Sequence, residues 1–363
     1  MNNHHNNNNG SSNIDIKSKE RLEKYVKENF VYIDYKVSSS NLIEDSNYVT
    51  LKLFPTWDQK TLEYVQCKDG ITNKLVKCYN KSLNISLLIR AYGNKSEVLI
   101  DRNQEILNLV RLSMLELSPP LYGRFSNGFV YGYIPGKVFT VEDMSDPYKS
   151  TLVAKKLAQW HSVDMVGDKT ANLFPTLYKW LGEVPISYSN SDINKKFHEN
   201  FNIKKIKLEL LDLEKELIKL NSPIVFCHND LLSANIIYDE ALKEVSFIDY
   251  EYGNYSYRGF DIGNHFNEFA GFECNYSMYP SKEFQCQWLK TYLTDSYPDK
   301  EITDEMIENL YKEVNKFALA SHFYWGLWAL IQAHYSDINF DYMEYSMLRF
   351  NEYYKCKEEF FAL

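Results

Sequence analysis

The residue types best suited to phosphoryl transfer lie in two short motifs in the second half of the chain. His228, Asp230 and Asn235 follow the pattern H-x-D-x-x-x-x-N, and Asp249 comes fourteen residues after Asn235, at the end of an apolar run. Transfer of a phosphoryl group from ATP needs a carboxylate near the attacking hydroxyl and oxygen ligands for Mg²⁺. Asp230 is therefore the candidate catalytic base, and Asn235 and Asp249 are the candidate metal ligands. The alternative is a loop in which these side chains only cap turns.

Two further groups, in the first half of the chain, are candidates for contact with the phosphates of ATP. Thr72 and Asn73 follow a glycine turn, where backbone N–H groups could face phosphate, although an ordinary hairpin turn is the competing interpretation. Arg90 ends an apolar run, and its guanidinium could bind phosphate through two hydrogen bonds. Glu105 is the best-placed carboxylate to orient Arg90. The alternative for this pair is two separate, solvated side chains.

Apolar and turn patterns in the first half predict a small antiparallel sheet with one long helix. The predicted strands cover residues 62–67, 71–79, 85–92, 121–125 and 129–134. Asp69-Gly70 and Asn127-Gly128 are typical hairpin turns between neighbouring strands. Residues 98–117 have the apolar spacing of a helix. Residues 31–49 give no clear pattern.

The second half is predicted to be mainly helical, with short strands around the candidate catalytic motifs. The predicted elements are helices at 147–161, 203–220 and from about 282 onward, and strands at 224–227, 235–238 and 245–248. Residues 317–335 are long enough to cross a bilayer, but they include Ser321, His322, Gln332 and His334. Because these polar groups are costly in lipid, we expect a buried helix here and no stable membrane insertion.

These elements predict an α+β fold with three regions along the chain. Residues 1–18 form an Asn-rich head that is expected to be disordered, because such a composition cannot bury a core. Residues 19–134 form the predicted N-terminal, ATP-binding lobe, and Pro135-Gly136 marks a natural boundary. Residues 135–363 form the larger, mainly helical lobe with the catalytic motifs.

Composition limits the classes of partner. The chain has 363 residues and a formal net charge of −9, so nucleic acid is not an expected partner. Its hydrophobic content of 45% is enough for a sizeable core. None of its six cysteines forms a C-x-x-C pair, which is typical of reduced thiols in a protein of the cytoplasm.

Five segments, in their order along the chain, give the sequence a close resemblance to the choline/ethanolamine kinase family. They are GITNKLVKCY (70–79), LLIRAYGNKSEVLIDRNQEI (87–106), CHNDLLSANIIY (227–238), FIDYEYGNYSYRGFDIGNHFNEFAG (247–271) and FALASHFYWGLWALIQAHYS (317–336). The likeness extends over roughly residues 60–355. It implies a protein-kinase-like fold of two lobes, with ATP as donor, Mg²⁺ as cofactor, Asp230 as base, and Asn235 and Asp249 on the metal. Arg90 matches the family's phosphate-contacting arginine.

The resemblance also implies an amino-alcohol site in the C-terminal lobe. The matching positions are Tyr252, Glu268, Trp325, Trp328 and Tyr345. An ammonium head group needs carboxylates or aromatic faces in place of its water shell, and Trp is the best cation–π partner. Trp325 and Trp328 are three residues apart, so they share one helix face. Without the family, packing in a helix core is the simpler interpretation of both.

Details within the family favour ethanolamine as the substrate. HND followed by two leucines, the GITN turn and the NEFAG ending resemble the ethanolamine branch. The choline branch more often has Gln at the position of Leu232, and Glu-Trp at Glu268-Phe269. A primary ammonium donates three hydrogen bonds and a trimethylammonium donates none, so a carboxylate-rich pocket with fewer aromatic residues favours ethanolamine.

The resemblance therefore predicts ATP-dependent phosphorylation of ethanolamine, the first step of the CDP-ethanolamine route to phosphatidylethanolamine. A choline kinase or a dual choline/ethanolamine kinase is the first alternative. An aminoglycoside phosphotransferase and a non-catalytic binding module are the others. A second copy of the chain, in a homodimer, is a further expected partner.

Overall fold

The computed structural model describes residues 18–67, 74–93, 96–336 and 338–363 of the chain. The N-terminal part contains the strands β1 (Val31–Ile33), β2 (Leu62–Cys67), β3 (Lys74–Asn80), β4 (Ile85–Ala91), β5 (Leu121–Phe125) and β6 (Gly128–Gly132). They form one sheet in the order β1-β5-β6-β4-β3-β2. Neighbouring strands are antiparallel except for the short edge strand β1, which is parallel to β5. The predicted antiparallel sheet is confirmed, and β1 is an addition that the sequence did not predict.

The helices of this part are α1 (Lys19–Asn29), α2 (Leu42–Leu53) and α3 (Arg102–Met114). Helix α3 is shorter than the predicted 98–117 because Asp101 caps its first turn. The Asp101 side chain accepts hydrogen bonds from the backbone N–H groups of Asn103 and Gln104. At the other end, Glu116 has a φ of 60°, in the left-handed region that ends helices.

Strand β4 presents alternate side chains to the two faces of the sheet. Leu87 and Ile89 pack with Val49 of α2 in one hydrophobic core. Arg90 follows Ile89 and therefore points to the opposite face, where α3 supplies Glu105. This alternation explains how an apolar strand can bring an arginine into a cleft.

The C-terminal part is mainly helical. Its helices are α4 (Val141–Met144), α5 (Pro147–His161), α6 (Leu173–Glu183), α7 (Ser191–Asn200), α8 (Ile203–Ile218), α9 (Arg258–Asn267), α10 (Lys282–Ser296), α11 (Asp304–Tyr335) and α12 (Tyr342–Ala362). Its strands are β7 (Lys137–Val138), β8 (Ile224–Cys227), β9 (Ile236–Asp239), β10 (Glu244–Phe247) and β11 (Asn254–Tyr257). Strands β7, β9 and β10 form one antiparallel sheet, and β8 pairs with β11.

Helix α11 lies at the centre of the C-terminal core, where every residue from 317 to 331 is buried. Helix α9 crosses it closely because Gly263 has no side chain. A Cβ at this position would lie 2.6 Å from the backbone oxygen of Val314. The helix predicted over residues 317–335 is thus confirmed, and it is buried as far as residue 331. Within the described residues, no helix has both the length and the apolar composition needed to cross a membrane.

The predicted α+β, protein-kinase-like architecture is confirmed, with an N-terminal sheet and a helical C-terminal part. Residues 31–49, which gave no pattern, contribute β1 and much of α2. The division at residues 18 and 134 remains a prediction. Most of the predicted head, residues 1–17, lies outside the described residues. All six cysteines are described, and no disulfide between them is found.

Candidate active site

Asn235 and Asp249 are brought together by the hairpin of β9 and β10. Ile236 pairs with Phe247 across the hairpin, and the backbone N–H of Ile248 donates to the carbonyl of Asn235 at 3.0 Å. Asn235 and Asp249 therefore lie side by side where the two strands meet the cleft. The strands and their turn fill the residues between them, which explains the fourteen-residue spacing in the sequence. Asp249 has a φ of 65°, a costly conformation that clusters at functional sites.

The loop that carries Asp230, residues 228–235, is called the catalytic loop, and Asp261 of α9 fixes it. The Asp261 carboxylate accepts hydrogen bonds from the backbone N–H of His228 at 2.8 Å and of Asn229 at 2.7 Å. It also accepts one from Nε2 of His161 at 2.8 Å. Burial alone would raise the pKa of Asp261, but the hydrogen bond from His161 holds this pKa below its usual value. An ionised, buried acceptor thus positions the backbone just before Asp230.

His228 connects this loop to the end of β10. Its Nδ1 accepts a hydrogen bond from the backbone N–H of Asp230 at 3.3 Å. Its Nε2 lies 2.9 Å from the carbonyl oxygen of Ile248. Burial lowers the pKa of His228, and a neutral ring protonated at Nε2 satisfies both contacts. The histidine therefore fixes Asp230 relative to the strand that ends at Asp249.

Asn235 holds the candidate base directly. Its Nδ2 donates to the carbonyl oxygen of Asp230 at 2.8 Å and to Oδ2 of Asp230 at 3.0 Å. The remaining oxygens, Oδ1 of Asn235 and Oδ1 of Asp230, make no hydrogen bond in the described part of the chain. Both side chains line the same cavity, where a ligand could supply the partners that these oxygens lack.

Arg90 crosses from the sheet to the C-terminal part. Its Nη1 donates to Oδ1 of Asp249 at 2.8 Å, and its Nη2 donates to Oε2 of Glu251 at 2.5 Å. Glu105, the predicted orienting carboxylate, lies 3.6 Å from Nη2 and also binds Arg102. Burial would lower the pKa of Arg90, but these carboxylates raise it well above its ordinary value. The guanidinium is therefore a fixed positive charge at the cleft.

A single cavity brings most of the predicted site residues together. It is lined by Leu75, Arg90, Tyr131, Asp230, Leu232, Ala234, Asn235, Ile248, Asp249, Glu251, Tyr252, Glu268, Phe272, Trp325, Trp328 and Tyr345. Among the predicted site residues that the structure describes, only Glu105 is not part of this lining. Glu105 lies behind Arg90, and Thr72 and Asn73 lie outside the described residues.

Four aromatic side chains, Trp325, Trp328, Tyr252 and Tyr345, form an aromatic wall in the cavity that Glu268 also lines. The rings of Trp325 and Trp328 have centroids 5.5 Å apart and share one helix face, as their spacing predicts. Tyr252 lies 5.4 Å from the ring of Trp325 and accepts a hydrogen bond at its hydroxyl from Nε1 of Trp328 at 2.9 Å. Tyr345 completes the lining. Carboxylate and aromatic faces together suit an ammonium group.

The charges that line the cavity favour cationic ligands. In the described part of the chain, four acidic residues and one basic residue contribute to the lining: Asp230, Asp249, Glu251, Glu268 and Arg90. Burial raises the pKa of Asp230 well above its usual value, and the carboxylates of Asp249, Glu268 and Glu251 raise this pKa further. Positive charge brought in by a metal or an ammonium group would relieve this repulsion.

The donor set fits Mg²⁺. Asn235 and Asp249 offer amide and carboxylate oxygens, which are the hard ligands that Mg²⁺ prefers, and no thiol or imidazole of the described residues lines the cavity. Such a site keeps open positions for phosphate oxygens and water. Asn235 and Asp249 are therefore the residues that would hold the metal.

Three positioning residues were not predicted from the sequence. Glu251 binds Arg90, Arg349 binds Glu268 at 3.1 Å, and Asp261 holds the catalytic loop. Glu251 had a usable signal, because it stands two residues after Asp249.

Comparison with known proteins gives the family. The family model described as Choline/ethanolamine kinase matches residues 65–354. The chain belongs to this family. A probable ethanolamine kinase A of Dictyostelium discoideum is 45% identical over 299 residues, which cover 81% of this chain and 85% of that protein. Ethanolamine kinase 1 of Homo sapiens is 43% identical over 321 residues, which cover 86% of this chain and 71% of that protein.

A solved structure agrees with this assignment to the choline/ethanolamine kinase family. The structure of an ethanolamine kinase of Plasmodium vivax aligns with a TM-score of 0.79 at 28% identity and covers 92% of this chain and 93% of that one. The predicted family and the predicted phosphotransferase class are thereby confirmed. ATP and Mg²⁺ are the standard donor and cofactor in this family, as the sequence predicted.

Proposed function

We propose that this member of the choline/ethanolamine kinase family transfers the γ-phosphoryl group of Mg-ATP to the hydroxyl of ethanolamine. One observation carries the proposal. The same cavity is lined by Arg90, Asn235 and Asp249, which suit a metal triphosphate, and by Glu268 and the tryptophans, which suit an ammonium group. Asp230 lines that cavity as well, and its Oδ1 has no hydrogen-bond partner among the described residues.

Residues from both parts of the chain bind the nucleotide in this proposal. Arg90 would bind phosphate oxygens, since its guanidinium is fixed by Glu251. Asn235 and Asp249 would hold Mg²⁺, whose charge offsets that of the phosphates. Thr72 and Asn73 remain predicted phosphate contacts.

Asp230 acts on the alcohol. Oδ2 is held by Asn235, so Oδ1 can accept a hydrogen bond from the substrate hydroxyl and align its oxygen with the γ-phosphorus. A bond forms between that oxygen and phosphorus while the bond from phosphorus to the oxygen of ADP breaks. The hydroxyl proton passes to Asp230 late in the transfer. The products are phosphoethanolamine and ADP.

The head group would lie against Glu268 and the aromatic wall. One Glu268 oxygen, Oε1, is bound to Arg349. The other, Oε2, makes no hydrogen bond to any described residue and so can accept one from a primary ammonium. The faces of Trp325 and Trp328 supply cation–π contact, worth about 0.5–2 kcal/mol.

Choline is the second candidate substrate, and one observation favours it. The pocket is rich in aromatic side chains, including Tyr252, Phe272, Trp325 and Tyr345. A trimethylammonium group would fit such a wall. The argument from few aromatic residues therefore does not support ethanolamine. The choice of ethanolamine rests on the free Glu268 oxygen and on relatives that are named ethanolamine kinases.

A competition assay decides between the two alcohols. Purified chain is incubated with Mg-ATP and equal concentrations of ethanolamine and choline, and both phosphorylated products are measured at low conversion. We expect phosphoethanolamine to exceed phosphocholine by about tenfold or more, because only ethanolamine can donate to Glu268. Equal products, or more phosphocholine, would contradict the choice of ethanolamine.

Two finer parts of the proposal concern the setting of the enzyme. A cytoplasmic location fits six cysteines that form no disulfide with one another. A homodimer remains a prediction, which the molar mass in solution would test directly.

A further inference from the structure

Arg349 of α12 contacts the head-group residues from behind. It is buried, with 1% of its surface exposed. Its Nη1 donates to Oε1 of Glu268 at 3.1 Å and to the hydroxyl of Tyr345 at 3.3 Å. Both partners line the cavity, whereas Arg349 does not. The arginine can therefore act on the substrate only through its neighbours.

The other side of Arg349 begins a chain of hydrogen bonds that ends at the catalytic loop. Nη2 donates to Oγ of Ser321 at 2.8 Å, and Ser321 donates to Oδ1 of Asn264 at 2.8 Å. Nε1 of Trp325 donates to the same Asn264 oxygen at 2.7 Å. Nδ2 of Asn264 donates to the carbonyl of Asn229 at 3.3 Å. One arginine is thus linked to the head-group carboxylate, to the indole and to the residue before Asp230.

We propose that Arg349 is a positioning and specificity-determining residue, which aligns Glu268 and Trp325 so that the pocket prefers a primary ammonium. The inference rests on the proposed function and deepens it. With Oε1 bound to Arg349, Glu268 presents Oε2 alone to a donor. Choline, which has no N–H to donate, depends instead on the aromatic faces.

Arg349 also favours the charged form of Glu268. Burial raises the pKa of Glu268, and the charge and hydrogen bond of Arg349 oppose this rise. Without the arginine, the pKa of Glu268 would rise further, so the carboxyl would keep its proton to a higher pH and would attract an ammonium group less strongly. Raising the pH would ionise the carboxyl again and restore part of that attraction.

Other titratable groups around this pair do not produce the same pH dependence. They are Tyr276, Cys274, Tyr345, His322 and Asp230. Burial raises the pKa of both tyrosines and of Cys274, and burial lowers the pKa of His322 well below its usual value, so all four stay neutral between pH 6.5 and 8.5. Asp230 is present in every variant, so comparison with the unmodified enzyme at each pH removes its contribution.

The test compares Arg349→Met and Arg349→Lys with Arg258→Met. Arg258 forms a similar, largely buried ion pair with Glu313 at 2.6 Å, and neither residue lines the cavity. Initial rates are measured with ethanolamine, choline and ATP at pH 6.5, 7.5 and 8.5. At neutral pH, Arg349→Met should raise the KM for ethanolamine about tenfold or more, raise the KM for choline less, and change the KM for ATP little.

The pH profile separates positioning from simple stabilisation. The KM of Arg349→Met for ethanolamine should fall toward the value of the unmodified enzyme as the pH rises. The KM of Arg349→Lys should lie between those of the unmodified enzyme and Arg349→Met. Arg258→Met should lower stability without changing the KM for ethanolamine or for choline. If Arg349→Met behaves like Arg258→Met in both KM and pH profile, the inference is wrong.

A double variant keeps the test possible if Arg349→Met folds poorly. Arg349→Met with Glu268→Gln removes both charges, which avoids an unpaired buried carboxylate. It should retain the raised KM for ethanolamine and lose the recovery at high pH, since Glu268 is absent. An unmodified KM in the double variant would overturn the inference. If the unmodified chain itself does not phosphorylate ethanolamine, the proposed function is wrong and the inference fails with it.

Discussion

The two carboxylate oxygens of Asp230 have different surroundings. Oδ2 is held by Asn235 at 3.0 Å, whereas Oδ1 is buried without a partner among the described residues. An unsatisfied buried acceptor costs about 1–3 kcal/mol, so such atoms are rare unless a ligand completes them. Oδ1 would accept a hydrogen bond from the substrate hydroxyl.

We therefore expect Asp230→Asn to remove catalysis and to spare nucleotide binding. The substitution keeps the shape of the side chain but cannot accept a proton, so kcat should fall by about 10²–10⁴-fold. Steady-state kinetics gives the loss, and calorimetry with Mg-ATP checks that the Kd for nucleotide stays within about threefold. A kcat within tenfold of the unmodified value would show that Asp230 is not the base.

Charged residues also show the limit of what the sequence predicts at this scale. Glu251 could have been placed near the site, because it stands only two residues after Asp249. Arg349 could not, since its partner Glu268 is 81 residues away and a lone arginine carries no pattern. Contacts between distant, single charges follow from the fold alone.

At the scale of elements, one face of α9 and the turn after it organises the site. Asp261, Asn264, His265 and Glu268 are spaced at i, i+3, i+4 and i+7, so they share this face. The first three bind the backbone of the catalytic loop, and Glu268 lines the cavity. A polar stripe on a helix that is buried from Gly259 to Asn267 is unusual. It is explained by the backbone groups of the catalytic loop, which need hydrogen-bond partners in the core.

His265 makes stability sensitive to acid. Its Nδ1 lies 2.9 Å from the carbonyl of Leu231, and burial lowers the pKa of His265 to about 4. The unfolded chain has the ordinary value of about 6.5, so between these pH values the unfolded state binds more protons. The contribution of His265 to the free energy of unfolding is therefore fully present above about pH 6.5. It is lost as the pH falls toward 4, and the loss amounts to about 3 kcal/mol.

Urea unfolding between pH 7 and pH 4 measures this loss. His265→Gln should be less stable at pH 7 but should lose less of its unfolding free energy on acidification than the unmodified chain. His198→Gln, at an exposed position, serves as the control. Equal acid sensitivity of His265→Gln and the unmodified chain would contradict the assignment.

Some elements followed from the sequence and others did not. The apolar patterns at 235–238 and 245–248 predicted the two strands of the β9–β10 hairpin, which the structure places at Ile236–Asp239 and Glu244–Phe247. Strand β11 was not predicted, since 254–257 is too short and too polar to show alternation. It forms by antiparallel pairing with β8, the strand that leads into the catalytic loop. Pairing of this kind is decided by tertiary structure.

For the whole molecule, the cleft joins two parts with different packing. The sheet supplies Arg90, and the C-terminal part supplies Asp249 and Glu251, which bind it across the cleft. The excess of carboxylates in the cavity leaves negative charge for cationic ligands to balance. A chain of net charge −9 thus places a metal triphosphate through local contacts, because overall charge would repel it.

Metal-dependent formation of phosphoethanolamine tests this account most directly. Purified chain with ATP and ethanolamine is followed by phosphorus NMR with Mg²⁺ and with a chelator in its place, for the unmodified chain, Asp249→Asn and Asp239→Asn. Asp239 lies at the opposite end of the same hairpin and serves as the control. The account predicts product only with Mg²⁺, about 10²-fold or greater loss in Asp249→Asn, and normal rates in Asp239→Asn. Product without any divalent metal, or unchanged turnover in Asp249→Asn, would contradict it.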